Sequence, residues 1–302
     1  MTLGRALLQL LVFPGLLYAV PVAWLMLWME RKLTARLQGR IGPPFYQPFF
    51  DFVKLLAKRP LPRPPLQALA MSALPVLAVA STLGALALLP VFPHGGGFGG
   101  DLVLLVALLE VPPLCGVLAG FVSRSLYGEL GATREAVLSI AYSLPFLAAL
   151  VALAAAANSL SLSVISQQAM WQVRVPALIA LALCLPVKLR VNPFSVANAE
   201  QEIYAGATTE FEGPRLALWE LAHGLEWVAL TGMWAVLAFP SADAPWPLRA
   251  SLFVAISLLL VLAIATVAAA TARLKLAQAA RMYWLWGFAI GLIALVVAMV
   301  SP

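Results

Sequence analysis

Long apolar runs alternate along this chain with short connections that are charged or broken by Pro and Gly. Eight runs reach or pass the roughly 18 residues that a helix needs to cross a bilayer core. They predict spans at about 3–29, 66–92, 101–122, 136–158, 173–190, 215–239, 250–270 and 282–300. Runs such as LVLLVALL lack the in–out alternation of a membrane β-barrel. The pattern therefore predicts an all-α polytopic membrane protein, one membrane domain over residues 1–302. Turn signals at His94–Gly100 and Ser241–Pro247 separate neighbouring spans. The first run is too long for a signal peptide and lacks a small-residue cleavage site, so it reads as a retained helix. Between the first two spans, Gly42–Pro48 reads as a rigid turn. It feeds a short amphipathic helix from Phe49 to Lys58 suited to a membrane interface.

Composition agrees with this pattern: 63% of residues are hydrophobic and 11% charged. Charge adds an orientation. Of 19 Lys and Arg residues, all but Arg5, Arg174 and Arg249 fall in or beside the predicted loops 30–65, 123–135, 191–214 and 271–281. The positive-inside rule makes that side cytoplasmic and puts both termini on the other side of a prokaryotic inner membrane. The net charge of +6 then reports basic loops rather than nucleic-acid binding. Cys115 and Cys184 are isolated in apolar runs, and no metal-ligand or nucleotide-binding spacing occurs. The chain is expected to carry no metal or cofactor of its own.

Ten of the 13 acids also lie on or near the basic side. Glu200, Glu202, Glu210 and Glu212 crowd into the loop before the sixth span. A simple helix–helix connection needs about 2–8 residues, so this longer loop implies docking or ion passage. Its bland alternative is a solvated loop balanced by Arg190 and Arg215. In the sixth span, Glu220 and Glu226 stand three residues either side of His223, within helical reach. Ionisable groups inside a membrane are costly and usually face a polar interior, and His titrates near neutral pH. Glu110, followed by Pro112 and Pro113, adds a weaker signal in a kinked third span.

Four ordered motifs carry a family resemblance. They are Glu30-Arg-Lys with Gln38–Pro43 and Lys54–Lys58; Tyr127–Arg134 leading to Ala141-Tyr142; Asn192-Pro-Phe194 with Ala199–Ile203 and Thr209–Gly213; and Ala272–Gln278 with Tyr283-Trp284. Together they resemble the NuoH family of complex I membrane subunits and its relatives, among them the membrane subunits of energy-converting NiFe hydrogenases. The loop Pro43–Pro48 with Asp51 and the ending ARLKLAQAARMYW are most similar to the hydrogenase branch.

The resemblance implies a subunit without a redox centre that anchors a hydrophilic arm. That arm comprises a hydrogenase-like large subunit and a small iron–sulfur subunit, with the NiFe centre and clusters in those partners. Antiporter-like membrane subunits are the other implied neighbours. It assigns Glu30, Arg134, Glu200, Glu202 and Glu210 to family polar positions, to which the acidic loop and sixth span add Glu212, Glu220, His223 and Glu226 as an ion pathway. Arg31, Lys32, Arg36, Arg40, Asp51 and Lys54 form the expected partner-docking segment.

Three positions depart from the family. Ser143 follows Tyr142 where the family has Glu, Ser195 follows Phe194 where it has Asp, and a family Glu in the sixth span falls at His223. Ser cannot carry a charge that titrates near neutrality, so the expectation is altered coupling, rerouted through His223. The rival readings are the same subunit lining a quinone chamber in an NADH–quinone oxidoreductase, a free-standing secondary transporter and a purely structural anchor.

Overall fold

The computed structural model describes residues 11–12, 15–91, 100–198, 202, 206–239 and 245–300. Glu200, the residues of the glycine-rich turn before Gly100 and the start of the first predicted span lie outside that set. Within it the chain is helical and contains no strand. The long helices are α1 (Leu16–Leu37), α3 (Pro65–Leu88), α4 (Asp101–Ser123), α5 (Leu126–Ala156), α7 (Trp171–Lys188), α8 (Gly213–Ala238) and α9 (Trp246–Ala270). Two short helices, α2 (Gln47–Leu56) and α6 (Leu162–Gln168), join them. The last span is composite: α10 (Leu276–Met282), a π-turn at Tyr283–Gly287, then α11 (Phe288–Val300). Seven helical segments among the described residues are long and apolar enough to cross a membrane, from Pro65–Leu88 to Leu276–Val300. This is a polytopic all-α membrane protein.

Proline opens several helices where its missing N–H costs nothing, at Pro48 of α2, Pro65 of α3, Pro214 of α8 and Pro247 of α9. Proline inside α4, α5 and α7 leaves carbonyls that only a packed bundle tolerates in lipid. The π-turn coincides with Tyr283, whose buried hydroxyl donates to the Leu183 carbonyl at 2.7 Å and ties the last span to α7. The most enclosed span is α8, which packs on α1, α3, α7 and α9.

Three helix ends differ from the predicted loops. The first helix does not stop at residue 29: it carries Glu30, Arg31, Lys32 and Arg36 on its last turns. Helix α5 begins at Leu126 instead of 136, so Tyr127–Arg134 form its first turns. The last span takes in Leu276–Arg281, which the apolar pattern assigns to a loop. Straight-chain charged residues are good helix formers, so a helix continues past the apolar stretch that hydropathy detects. Helix α6 has no counterpart in the predicted elements. Asp101, buried at the start of α4, accepts a 2.6 Å bond from the Leu162 N–H and holds α6 in place.

Candidate functional site

The polar residues converge at the end of the bundle where α1, α5, α7 and α8 meet the acidic loop. Just beyond α7 the chain turns through a left-handed residue, Arg190 at φ 55°. Its guanidinium is thereby sent back between two spans. Arg190 Nε donates to Glu135 Oε1 of α5 at 3.0 Å, and Nη1 donates to Glu226 Oε2 of α8 at 3.0 Å. Both carboxylates are buried. Buried charges survive only when paired and hydrogen-bonded, and one fork-shaped cation meets that need for two acids. The loop-balancing role foreseen for Arg190 and Arg215 is thus corrected. Arg190 turns inward, and Arg215 donates to Ser72 Oγ at 3.0 Å.

His223 joins this group. Its Nδ1 lies 3.5 Å from Glu226 Oε2 and 3.5 Å from Arg190 Nη1, and its Nε2 accepts from the Trp227 indole at 3.3 Å. Glu30 of α1 is half-buried and close enough to His223 to interact electrostatically. Glu220, exposed one turn away, lines a cavity of about 100 Å3 together with Glu135, Arg190, His223 and the acidic-loop residues Ala207 and Thr208. The loop closes over this cavity because Gly131 of α5 has no side chain. A Cβ there would stand 2.7 Å from Gly206 Cα and 2.8 Å from the Ala207 nitrogen.

A second ion pair continues the polar chain into the bundle. Lys188 Nζ is buried and lies 2.6 Å from Glu110 Oε1. The ammonium also sits 4.5 Å from the Tyr142 ring and 4.6 Å from Phe146, a cation–π arrangement. Tyr142 is buried between the two groups, next to both Glu110 and Glu135. The ordered set is His223, Glu226, Arg190, Glu135, Tyr142, Lys188 and Glu110.

The other predicted pathway acids serve different contacts. Arg134 donates to Glu202 at 2.6 Å and to the Val196 carbonyl at 3.3 Å, holding the loop to α5. Glu210 and Glu212 strap down the proline-rich segment before α3. Arg63 bonds the Glu210 carboxylate at 3.1 Å and its carbonyl at 2.8 Å, and the Leu61 N–H donates to Glu212 at 2.9 Å. Gly213 follows at φ 56°, where any Cβ would meet the Lys58 carbonyl oxygen at 2.8 Å. Ser143 donates to its own helix at Ser139, and Ser195 accepts from Arg273 Nε at 3.1 Å.

The residues predicted for docking lie on α1, the turn after it and α2: Arg31, Lys32 and Arg36 on the end of α1, Arg40 in the turn, and Asp51 and Lys54 on α2. Trp24 of α1 packs edge-on to Phe49 and tilted against Phe52, fixing α2 in position. Trp28 donates to the Pro43 carbonyl at 3.1 Å and anchors the intervening turn. Arg31 and Asp51 approach at 3.9 Å on an exposed face, a pair worth little in stability. A cavity of about 260 Å3 opens between α1, α2 and α8, with Trp24, Leu27, Phe52 and Leu55 as its apolar wall and Arg31, Lys54, Lys58 and Glu220 at its polar edge.

Sequence reasoning missed Glu135, and it did not pair Lys188 with Glu110. A signal existed for Glu135: it shares a face of α5 with Tyr142, seven residues on. Among the described residues no group of three His, Cys, Asp or Glu is arranged to hold a metal ion, and both cysteines are free and buried.

A family model described as NADH dehydrogenase matches residues 9–299. The chain belongs to this family of complex I membrane subunits. Within the curated relatives, hydrogenase-4 component C of Escherichia coli (strain K12) is 32% identical over 225 residues, 72% of this chain and 70% of that protein. Among solved structures, a chain of the membrane-bound sulfane sulfur reductase, an archaeal respiratory membrane complex, superposes with a TM-score of 0.87. It is 28% identical, and the match covers 97% of this chain and 98% of that one. The relatives are components of multisubunit respiratory membrane complexes, and this chain is a complex I-like membrane subunit. A free-standing transporter is not favoured.

Proposed function

We propose that the chain anchors the hydrophilic redox arm of a membrane-bound, hydrogenase-type complex and carries the inner end of its ion path. Hydrogenase-4 component C is the relative that favours this branch. Arg31, Lys32, Arg36, Arg40, Asp51 and Lys54 seat a hydrogenase-like large subunit and a small iron–sulfur subunit, which hold the metal centres. Antiporter-like subunits cover the lipid-facing sides. The basic end of the bundle is cytoplasmic and both termini lie on the opposite side of a prokaryotic inner membrane.

One observation carries the ion-path reading: Arg190, Glu135, Glu226 and His223 meet within hydrogen-bond range beneath a loop that also bears Glu202, Glu210 and Glu212. An acid, a base and a fixed cation at that spacing can exchange a proton without exposing a lone charge to lipid. Glu30 and Glu220 flank the entry, while Arg134, Glu202, Glu210 and Glu212 hold its lid; Glu200 belongs to the same loop.

The test is ion uptake per electron by the intact complex in proteoliposomes. His223→Gln and Glu226→Gln should each cut uptake at least tenfold while the redox subunits stay bound. Full coupling in both variants would remove the ion-path role and leave the anchor.

A further inference from the structure

The indole nitrogen of Trp227 is a hydrogen-bond donor and has no acceptor lone pair. It points at His223 Nε2 from 3.3 Å. Nε2 must therefore be the acceptor nitrogen, and in the neutral ring the hydrogen sits on Nδ1. Nδ1 has two neighbours at 3.5 Å, Glu226 Oε2 and Arg190 Nη1. Only the carboxylate can accept from it. The opposite tautomer would set two N–H groups against each other at Trp227 and leave Glu226 without this bond. Trp227 is buried and one turn from His223 on the same helix. The His223 side chain is 29% exposed, toward the small cavity.

We propose that Trp227 is a positioning residue that holds His223 in the Nδ1–H tautomer, hydrogen toward Glu226, and covers the nitrogen through which a further proton would enter. This rests on the ion-path reading above. The step it governs is a proton transfer without electron movement. The indole swings off, and Nε2 takes a proton from the cavity. The Nδ1–H bond breaks, and that proton passes to Glu226 Oε2. The ring is left neutral with its hydrogen on Nε2. Glu226 is then uncharged, and Arg190 is held by Glu135 alone. The indole N–H can bond Nε2 again only when Nε2 has lost its proton and Nδ1 has regained one.

The groups facing His223 are Glu30 from α1, Glu135 from α5, Arg190 after α7, and Glu220 and Glu226 from α8, with Cys115 of α4 close to Glu226. Trp227 alone among these neighbours offers a neutral, pH-independent donor, which suits a positioning role.

The chain contains two histidines. Uniform labelling of histidine with nitrogen-15 in the full chain, in nanodiscs, therefore yields two imidazoles, and His94→Gln assigns them. The nitrogen resonances of His223 should show hydrogen on Nδ1 and a bare, hydrogen-bonded Nε2. In Trp227→Phe, and in a chain carrying benzothienylalanine at that position (sulfur in place of the indole N–H, shape preserved), both tautomers should appear. In the intact complex the same variants should move the pH midpoint of ion uptake upward by about one unit, and adding His223→Gln should abolish the shift. Hydrogen on Nε2 in the native chain, or a tautomer indifferent to both replacements, overturns the role of Trp227 whatever ion transport shows. Uptake untouched by His223→Gln, with the tautomer as expected, overturns the ion-path reading instead.

Discussion

Arg190 and Glu135 are joined at 3.0 Å although 55 residues separate them, and the same guanidinium reaches Glu226 at 3.0 Å. One side chain from the end of α7 thus fastens α5 to α8. Its removal should be severe, because it strands two buried acids. Arg190→Met is expected to cost about 3–5 kcal/mol, the usual penalty for breaking a buried pair. Unfolding of the detergent-solubilised chain measures this. The triple variant with Glu135→Gln and Glu226→Gln should recover most of the loss, and Arg190→Lys should recover little, since a point charge does not span both acids. A single variant as stable as the native chain would show the pairing to be dispensable.

Lys188 and Glu110 make a second case, with the cation buried and the acid about a third exposed. Lys188→Met leaves Glu110 unpaired near the double proline of α4. Because the acid is only partly buried, a smaller loss of about 1–3 kcal/mol is expected, and Glu110→Gln in the same chain should restore it. The two changes made separately and together form a cycle, and additive losses would mean the contact contributes nothing.

The strap between Arg63 and the loop acids should behave differently. These groups are only partly buried, so Arg63→Ala should change global stability by no more than about 1 kcal/mol. What it should change is local. Residues 57–64 are expected to be cleaved several-fold faster by added protease, because the backbone there is held through Glu210 and Glu212. Cleavage at the native rate would assign that order to the prolines instead.

The proposed docking surface predicts a salt dependence. Arg36→Glu with Arg40→Glu should release the hydrophilic redox subunits during purification at moderate salt, and the native complex should loosen as salt screens the contact. Retention of the full set of subunits by the double reversal would move the docking site elsewhere.

The spans were legible because lipid forces long apolar runs, and α3, α4 and α8 fall where the pattern puts them. The ends were not. Charged residues from Glu30 to Arg36 prolong α1, and hydropathy reads them as loop although their helix propensity is high. The Glu226–His223 contact was legible from its three-residue spacing. The contacts of Arg190 were not, since tertiary packing alone decides whether a cation just past a helix turns out to the loop or back into the bundle. Nor were the partners of the loop acids legible: Glu210 bonds Arg63 and Glu212 accepts from the Leu61 N–H, contacts 147 and 151 residues apart in the chain.

Glu220 lines two separate spaces, the one beside the amphipathic helix α2 and the one beneath the acidic lid. A single carboxylate therefore borders both chambers. Any partner that fills the outer chamber changes the surroundings of a group shared with the inner one. Under the proposed function, a redox partner seated in the outer chamber would therefore reach the surroundings of His223 through this one side chain.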